Sequence, residues 1–256
     1  MTLTEQQNNN GKVVFITGGS GRIGAQTARR LHQSGMNVVI HYRNSRQNAE
    51  KLQQELNAIR TDSVKLVQAD LNDNDVYPRL IQQVIDQFGR LDVLINNASS
   101  FYPTPVGQIT LQQWDDLINS NMKAPLFLAQ AAASELSARQ GCIINLVDIH
   151  AQRPLAEHTV YCMAKAANAM LVKSLARELA PAVRVNGVAP GAIAWPDMQT
   201  SAALDEKSKQ MILQRVPMQR KGEFDDIAKT IRFLVSDAPY ITGQIIAVDG
   251  GRTTQQ

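Results

Sequence analysis

The sequence contains too few cysteines and histidines for the folds that depend on them. Cys142 and Cys162 cannot build a disulfide framework, and the four histidines lack the spacing of metal ligands. The formal net charge is only +3, and the basic residues are scattered along the chain. We therefore expect no metal site and no nucleic-acid partner, whereas a small anionic ligand is compatible with this charge.

Long apolar runs are also missing. No segment approaches the ~18 consecutive apolar residues of a membrane span, and the first residues lack the apolar core of a signal peptide. We expect a cytoplasmic protein that does not enter a membrane, with a flexible tail at residues 1–10. With 256 residues, of which 44% are hydrophobic, the rest of the chain, 11–256, is expected to fold as a single domain.

Seven short apolar runs, mostly rich in β-branched residues, predict buried strands. They are residues 12–17, 37–42, 64–69, 91–96, 142–147, 183–188 and 244–249. Longer amphipathic segments lie between them, and Gly35 and Gly89 stand where helices are expected to end. This alternation predicts a Rossmann-like, doubly wound α/β domain. Its seven-stranded parallel sheet carries helices on both faces and a ligand crevice beyond the carboxyl ends of the strands.

The first predicted strand runs into a glycine-rich segment, TGGSGRIG, at residues 17–24. Gly18 permits a tight turn, and Gly24 permits close packing of a helix that begins at Arg22 or Ile23. Free backbone N–H groups at the start of that helix favour an anion. The segment predicts a cradle for a dinucleotide pyrophosphate, and a purely structural turn is the alternative.

The end of the second predicted strand indicates which nicotinamide cofactor is bound. The sequence there reads His41, Tyr42, Arg43, Asn44 and Ser45. No carboxylate is present in this stretch to accept a hydrogen bond from a ribose 2′-hydroxyl. Arg43 and the polar donors after it suit a 2′-phosphate, with about 1.5 to 3 kcal/mol for each charge-assisted hydrogen bond. The stretch therefore favours NADPH over NADH, unless Arg43 is only a solvated charge.

The turn after the third predicted strand carries Asp70 and Leu71. Asp70 can accept a hydrogen bond from the amino group of an adenine. It can equally cap the helix that follows. Both interpretations stay open, and both residues are candidates for cofactor binding.

The segment 147–165 places a carboxylate, a phenol and an ammonium at set intervals, as Asp148, Tyr161 and Lys165. Tyr161 and Lys165 lie in a stretch with few helix breakers, so their spacing puts them one turn apart on one helix face. An ammonium beside a phenol favours the phenolate and lowers the tyrosine pKa toward the range of a working proton donor. A surface tyrosine and lysine is the alternative, because this spacing by itself is common.

Several motifs together resemble the short-chain dehydrogenase/reductase family over essentially the whole chain. They are the glycine segment 17–24, Asn96-Asn97-Ala98, Asn121, Tyr161 with Lys165, Pro190-Gly191 and Asp249-Gly250-Gly251. The resemblance implies that Tyr161 supplies a proton and that Asn121 helps to anchor a water relay. It also implies that Lys165 binds the nicotinamide ribose and lowers the tyrosine pKa.

The same resemblance implies the remaining cofactor contacts and an assembly. It puts Asn97 and Ala98 beside the adenosine ribose, and Pro190 and Gly191 beside the nicotinamide. A homotetramer is expected. The helices predicted at residues 111–136 and 160–179 carry small or apolar residues on more faces than one sheet contact needs.

Two residues depart from the general family pattern. Asp148 stands where a serine is usual, and Arg22 stands where the nucleotide loop usually has its second glycine. Both resemble the pteridine reductases, as does the stretch NNASSFYPTP at residues 96–105. A serine suits a carbonyl oxygen, whereas a pterin presents ring nitrogens and an amino group, so a carboxyl suits reduction of a C=N bond.

Within the pteridine reductase branch, the resemblance implies further contacts. Phe101 would lie over one face of the pterin, while Arg22 and Ser99 would contact the cofactor phosphate and the pterin edge. Asp148 and Tyr161 complete the substrate-binding set. A Phe101 that fills the core beneath its loop is the alternative. The segment 192–211, which includes Trp195, is predicted to cover the substrate.

These residues lead us to expect an NADPH-dependent pteridine reductase. Hydride would go to a ring carbon of a pterin, a dihydropterin or dihydrofolate, and a proton to the neighbouring nitrogen. Two alternatives stay open. One is a carbonyl reductase of the same family, such as a 3-oxoacyl-thioester reductase, and the other is a non-catalytic NADP-binding sensor.

Overall fold

The computed structural model describes residues 9–193 and 205–255. A seven-stranded, wholly parallel sheet with the order β3-β2-β1-β4-β5-β6-β7 runs through them. Its strands are β1 (Val13–Ile16), β2 (Asn37–Tyr42), β3 (Val64–Gln68), β4 (Val93–Asn96), β5 (Cys142–Leu146), β6 (Arg184–Pro190) and β7 (Ile245–Val248). The winding reverses between β1 and β4, and a doubly wound sheet opens its ligand crevice at such a switch point. The predicted fold class is confirmed.

Helices connect the strands in the predicted rhythm. In the described residues they are α1 (Arg22–Gln33), α2 (Arg46–Ile59), α3 (Val76–Phe88), α4 (Leu111–Ile118), α5 (Ala124–Ala138), α6 (Thr159–Leu179), α7 (Glu206–Gln214) and α8 (Phe224–Ser236). Gly89 ends α3 in the left-handed conformation, with φ 72°, as its position predicted. The helix predicted over 111–136 is not continuous, because a π-helical turn, Asn119–Lys123, separates α4 from α5. Such turns widen the helix locally and often mark functional positions.

Two apolar layers enclose the sheet, which explains the continuous apolar character of the strands. Val14 and Ile16 of β1 face the layer that contains α1, α2 and α8. Val13 and Phe15 face the opposite layer, which contains α3, α5 and α6. Because successive side chains of a strand point to opposite faces, burial on both faces removes the polar positions of an ordinary surface strand.

The described residues also refine the predicted boundaries. Asn9 is buried and donates a hydrogen bond to Ser236 Oγ at 2.8 Å, so the folded domain begins before residue 11. Most of the predicted substrate loop, residues 194–204 with Trp195, lies outside the described residues, whereas α7 lies within them. No helix among the described residues is long and apolar enough to cross a bilayer.

Candidate active site

A cleft of about 390 Å³ opens at the carboxyl ends of β1, β2, β3 and β4. Most of the predicted cofactor residues line it, namely Gly18, Arg22, His41, Tyr42, Arg43, Asn44, Ser45, Asp70, Leu71, Ala98 and Ser99. The lining also contains residues that the sequence analysis did not single out, namely Ser20, Gly21, Asn72, Ser100 and Ser120. Of these residues, Ser20 could have been predicted from the sequence, because its hydroxyl lies in the glycine-rich segment and such loops bind anions.

Close packing explains the glycines of the loop after β1. A Cβ atom on Gly24 would lie 2.5 Å from the carbonyl oxygen of Gly18, so no larger residue fits there. Asn97 Nδ2 donates hydrogen bonds to the carbonyl oxygens of Thr17 at 2.9 Å and Gly18 at 3.0 Å. Asn97 and Gly24 therefore shape the loop from behind, and neither lines the cleft.

The N-terminus of α1 opens beside this loop. Gly21 precedes the helix, and no side chain of the described residues caps it, so the first backbone N–H groups are free for an anion. Ile23 packs its side chain against the core, which leaves only its backbone to face a ligand. Arg22 is exposed and has φ 52°, a left-handed conformation that costs a non-glycine residue about 1 kcal/mol or more. An uncapped helix start against a glycine loop fits the pyrophosphate of a dinucleotide.

His41 supports the loop and is not a charged ligand-binding group. It is buried, its Nδ1 accepts a hydrogen bond from the Gly18 N–H at 3.1 Å, and its Nε2 donates to the Ala69 carbonyl at 3.1 Å. Burial lowers the pKa of His41 to about 4, which keeps the ring neutral. The predicted role of His41 in cofactor binding is therefore indirect, through the position of Gly18.

Arg43 is placed at the cleft as predicted, but its surroundings differ from the prediction. Its Nη1 lies 4.0 Å from Asp70 Oδ1 and 3.9 Å from Asp116 Oδ1, so two carboxylates stand where none was expected. Asp116 belongs to α4, far away in sequence, and no local pattern could have revealed it. Nearby, the Ser20 and Ser45 hydroxyls lie 2.7 Å apart. A phosphate bound at Arg43 must compete with the two acids.

Asp70 does not cap the following helix. Its Oδ1 accepts a hydrogen bond from the Asn72 N–H at 3.0 Å, whereas α3 begins at Val76 with Asp75 before it. Leu71 is buried in the core, although it also borders the cleft. The capping alternative is therefore wrong, and the adenine contact of Asp70 stays a prediction.

Asp148 and Tyr161 meet directly. The Tyr161 hydroxyl donates a hydrogen bond to Asp148 Oδ2 at 2.8 Å, and Asp148 Oδ1 accepts one from the His150 N–H at 2.8 Å. This second bond orients the carboxylate at the start of a short 3₁₀ turn, Ile149–Ala151, that follows β5. The predicted pairing of a carboxylate with the phenol is present in the structure.

The pKa of Tyr161 moves in the direction opposite to the prediction. Tyr161 is only 4% exposed, and this burial, followed by the charge of Asp148 and its hydrogen bond, raises the pKa well above 10. A hydrogen bond with Ser99 opposes the rise but does not reverse it. The phenol is therefore held in its protonated form, and the expected lowering by Lys165 is wrong for this arrangement.

Lys165 lies on the face of α6 that carries Tyr161, one turn further along. Its Nζ donates a hydrogen bond to the Leu146 carbonyl at 2.8 Å and sits 5.6 Å from the centroid of the Tyr161 ring. Lys165 is 2% exposed, and burial lowers its pKa to about 8, although Asp148 counteracts part of this effect. The lysine is thus a desolvated ammonium beside the ring, which loses its proton as the pH rises through about 8.

Asn121 occupies the π-helical turn and is buried. Its Oδ1 accepts a hydrogen bond from Ser99 Oγ at 2.6 Å, and its Nδ2 donates to the Ser100 carbonyl at 2.9 Å. Since Ser99 and Ser100 also line the cleft, these bonds connect the cofactor cleft with the catalytic residues.

A chain of buried amides fixes the π-helical turn from the core side. Asn96 Nδ2 donates to Asn145 Oδ1 at 2.9 Å, and Asn145 Nδ2 donates to Asn168 Oδ1 at 2.8 Å. Asn168 Nδ2 then donates to the carbonyl oxygen of Asn121 at 2.9 Å. The sequence analysis missed Asn145 and Asn168. Asn168 lies one further turn along the face of Lys165, and Asn145 interrupts an apolar strand, so both left a signal.

Phe101 stands over Tyr161. It is 49% exposed, so the alternative that it fills the core is wrong. Its ring packs edge-to-face on the Tyr161 ring and stacks on His158, with centroids 4.8 Å apart in both pairs. His158 was also missed, although it precedes Tyr161 by nearly one helical turn and shares its face. The half-exposed phenyl ring leaves aromatic surface available beside the hydroxyl of Tyr161.

Pro190 and Gly191 have a structural reason in this fold. Pro190 ends β6, and the Gly191 N–H donates to the Val248 carbonyl at 3.0 Å. A Cβ atom on Gly191 would lie 2.5 Å from Asp249 Cβ, which excludes any other residue. Their predicted position beside a nicotinamide stays a prediction.

The comparisons with known proteins agree with this architecture. A family model described as enoyl-(acyl carrier protein) reductase matches residues 19–253. The 3-oxoacyl-(acyl-carrier-protein) reductase FabG of Staphylococcus aureus is 41% identical over 243 residues, which cover 94% of this chain and 97% of that protein. Pteridine reductase 1 of Leishmania tarentolae is 38% identical over 281 aligned positions, covering 93% of this chain and 95% of that protein. The chain therefore belongs to the short-chain dehydrogenase/reductase family of NAD(P)H-dependent oxidoreductases.

Among these relatives, the 3-oxoacyl-(acyl-carrier-protein) reductases are better represented than the pteridine reductases. A Synechocystis protein that is 37% identical over 245 residues is again a 3-oxoacyl-(acyl-carrier-protein) reductase, with 94% of this chain and 96% of that protein covered. The identity to the pteridine reductase, 38%, is lower than that to the S. aureus protein, 41%, and similar to that to the Synechocystis protein, 37%. The resemblance to the family is confirmed, whereas the pteridine branch rests on the residues of the site.

Proposed function

We propose that the protein is an NADPH-dependent pteridine reductase. The observation that carries this proposal is the 2.8 Å hydrogen bond from the Tyr161 hydroxyl to Asp148 Oδ2, at the position where the general family pattern has a serine. A carboxylate accepts hydrogen bonds from the N–H and amino groups that a pterin ring presents, which a carbonyl substrate lacks. The half-exposed ring of Phe101 beside Tyr161 adds a surface for a flat aromatic substrate.

Four residues have separate roles in the proposed proton transfer. Tyr161 holds the transferable proton on its Oη, because burial and Asp148 keep the phenol protonated. Asp148 directs that hydroxyl, and the His150 N–H keeps the carboxylate in place. Lys165 contributes a positive charge beneath the Tyr161 ring, and Asn121 keeps Ser99 in position. When bound, the dinucleotide supplies the hydride.

The residues that would hold the cofactor surround the cleft. The free N–H groups of α1 suit the pyrophosphate, and Arg43 with Ser20 and Ser45 suits a 2′-phosphate. In the proposed complex, Ala98 adjoins the adenosine ribose, and Asn97 holds the loop behind it. Lys165 binds the nicotinamide ribose. These assignments make NADPH the preferred cofactor, although the two acids beside Arg43 reduce the difference in affinity between NADPH and NADH.

A 3-oxoacyl-thioester reductase is the second candidate. By relatedness alone it is the better supported of the two, because the FabG of S. aureus shares 41% identity and the pteridine reductase 38%. Asn121, Tyr161 and Lys165 would serve reduction of a carbonyl equally well. Asp148 is the residue that this candidate leaves without a role. The third alternative, a non-catalytic NADP-binding sensor, gives no reason for a buried Asp148–Tyr161 pair.

Matched substrates separate the two candidates. NADPH oxidation is measured with dihydrobiopterin, with dihydrofolate and with the N-acetylcysteamine thioester of acetoacetate. We expect the wild-type protein to reduce the pterins. Asp148→Ser should lower that activity by about tenfold or more without weakening NADPH binding, since a positioned acid–base group contributes about 10² or more. Asp148→Asn, which keeps the shape and removes the charge, is the matched control.

The opposite pattern would refute the pteridine assignment. A wild-type protein that reduces the thioester, and oxidises no NADPH with either pterin between about pH 4 and 8, is a 3-oxoacyl-thioester reductase. Asp148 would then be a local substitution, and Phe101 a packing residue of the loop.

We also propose that the protein assembles as a homotetramer. Phe127 on α5 and Met163 and Met170 on α6 are partly exposed, although large apolar side chains are usually buried. Burial of these helix faces against other subunits would remove them from water. Sedimentation at micromolar concentration tests the assembly, and a monomer would contradict it.

A further inference from the structure

Three arginines from separate segments meet at the C-terminal turn. Arg153 follows the 3₁₀ turn that begins at Asp148, and Arg215 follows α7. Arg252 opens a second 3₁₀ turn, Arg252–Thr254, shortly after β7. Arg153 and Arg252 follow the carboxyl ends of β5 and β7, and Arg215 contacts the loop after β7. Tyr161 lies at this same edge of the sheet.

Hydrogen bonds to backbone atoms hold the side chains of two of these arginines, Arg252 and Arg153, at the turn. Arg252 Nη1 donates to the Arg215 carbonyl at 3.4 Å, and Arg153 Nη1 donates to the Gln255 carbonyl. The Arg153 carbonyl in turn accepts a hydrogen bond from His150 Nδ1 at 2.8 Å. Since the His150 N–H also holds Asp148, one short loop connects this cluster with the catalytic carboxylate.

Among the described residues, the positive charges of the cluster outnumber the negative charges near it. Within residues 9–193 and 205–255, none of the three arginines forms an ion pair, in contrast to Arg30, which contacts Asp225 at 2.5 Å. Asp249 accepts hydrogen bonds from the Gly251 N–H at 2.9 Å and the Thr253 N–H at 2.8 Å, and its charge acts on Arg252. One carboxylate thus stands against the charges of three arginines.

The electrostatics of Arg252 agree with this picture. Burial lowers its pKa from the ordinary value, and the positive charges of Arg215 and Arg153 lower it further, with only Asp249 acting in the other direction. Like charges that converge without partners raise the free energy of the protein, and an anion bound among them would relieve that cost.

We propose that Arg153, Arg215 and Arg252 bind an anionic tail of the substrate, a carboxylate or phosphate group that extends from the reacting ring. The proposal rests on the proposed function and adds the substrate class: a flat ring with a charged extension, in preference to an unsubstituted pterin. Guanidinium groups suit both anions, because their paired N–H donors match the oxygens of a carboxylate or a phosphate.

The test compares substrates that share a reacting ring and differ in charge. Dihydrofolate carries two carboxylates on its tail, and dihydrobiopterin carries none. The triple variant Arg153→Gln, Arg215→Gln, Arg252→Gln is expected to raise the ratio of the KM for dihydrofolate to that for dihydrobiopterin by about tenfold, the effect of about one charge-assisted bond. Arg177→Gln, an exposed arginine at the far end of α6, is the control and leaves the ratio unchanged.

The other possible results also decide whether the arginines bind an anionic tail. An unchanged ratio, or an equal rise for both substrates, overturns the proposal. If the triple variant does not fold by circular dichroism, the three single variants give the same comparison with smaller shifts. Raising the salt concentration should weaken dihydrofolate selectively in the wild-type protein and much less in the variant.

A failure of the pteridine assignment remains distinguishable from a failure of the anion site. If neither pterin is reduced, acetoacetyl-coenzyme A, which carries phosphates, is compared with the uncharged N-acetylcysteamine thioester. A selective loss with the coenzyme A substrate in the triple variant would assign the cluster to a phosphate. Equal kinetics of variant and wild type on both thioesters would overturn the anion site as well.

Discussion

The proposed catalytic residues and the proposed cofactor anchor, Arg43, differ in how firmly the chain holds them. Tyr161 and Lys165 are 4% and 2% exposed, and each makes a 2.8 Å hydrogen bond. The side chain of Arg43 is 48% exposed, and its carboxylate neighbours lie 3.9 and 4.0 Å away. Buried polar groups must find partners to avoid a desolvation cost, whereas exposed ones exchange partners with water. The fold therefore fixes the positions of Tyr161 and Lys165, whereas Arg43, the proposed phosphate anchor, can exchange its partners.

The amide chain extends this difference into the core. Asn96, Asn145 and Asn168 form hydrogen bonds across β4, β5 and α6 and end on the carbonyl of Asn121. These hydrogen bonds restrain the π-helical turn, although Asn96 Oδ1, at the other end of the chain of amides, has no hydrogen-bond partner among the described residues. Among the described residues nothing comparable supports Arg43, so substitutions in the two regions should have unlike effects.

The largest effect is expected at Tyr161. Tyr161→Phe removes the hydroxyl and keeps the ring, so kcat should fall by about 10²-fold or more while the Kd for NADPH changes little. Steady-state kinetics and a fluorescence titration measure the two quantities. Near-normal turnover of this variant on every active substrate would remove Tyr161 as the proton donor.

The next effect is a pH dependence from Lys165. Its pKa is lowered from 10.5 to about 8, so raising the pH through 8 removes the ammonium, while Tyr161, with a pKa well above 10, keeps its proton. We expect kcat/KM to fall above about pH 8, by up to tenfold for each further pH unit. Lys165→Met should be less active at neutral pH, and its kcat/KM should not show this decline above about pH 8. A wild-type profile that stays flat from about pH 7 to 9.5 would contradict the role of the charge.

A similar or smaller change is expected in cofactor preference. Arg43→Ala should weaken NADPH binding by about tenfold and leave NADH binding nearly unchanged, because one charge-assisted contact is lost. Arg46→Ala is the matched control, since Arg46 is also exposed but pairs with Glu50 on α2. Equal dissociation constants for NADPH and NADH in the wild-type protein would show that Arg43 does not select the phosphate.

The smallest effect concerns the strained residue of the nucleotide loop. Arg22 has φ 52°, so Arg22→Gly should relieve about 1 kcal/mol of strain and raise Tm by about 2 to 4 °C. Thermal unfolding without ligand measures the change. Arg29→Gly, in the middle of α1, is the control and should lower Tm, since glycine weakens a helix interior. A lower Tm for Arg22→Gly would mean that the arginine makes contacts that outweigh the strain.

The sequence by itself determined the fold and brought the residues of the candidate site to attention. Strand and helix periods are local, so seven strands and the helix of Tyr161 and Lys165 could be read from short stretches. Gly24 likewise predicted close packing of a helix, and the structure shows Gly24 packed against the carbonyl oxygen of Gly18. These inferences needed only neighbouring residues and their spacing. Asp148 was recognised as a departure from the usual serine only through the resemblance to the family.

Only the tertiary structure decided the electrostatics and the supports of the site. The direction of the Tyr161 pKa depends on burial and on Asp148, and these outweigh any effect of the lysine one turn away. Asp116 reaches Arg43, and Asn168 reaches Asn121, across long stretches of chain. Desolvation and hydrogen bonding depend on which distant segments pack together, and no local period encodes that. The same reason places Arg153 and Arg252, from opposite ends of the second half of the chain, at one turn.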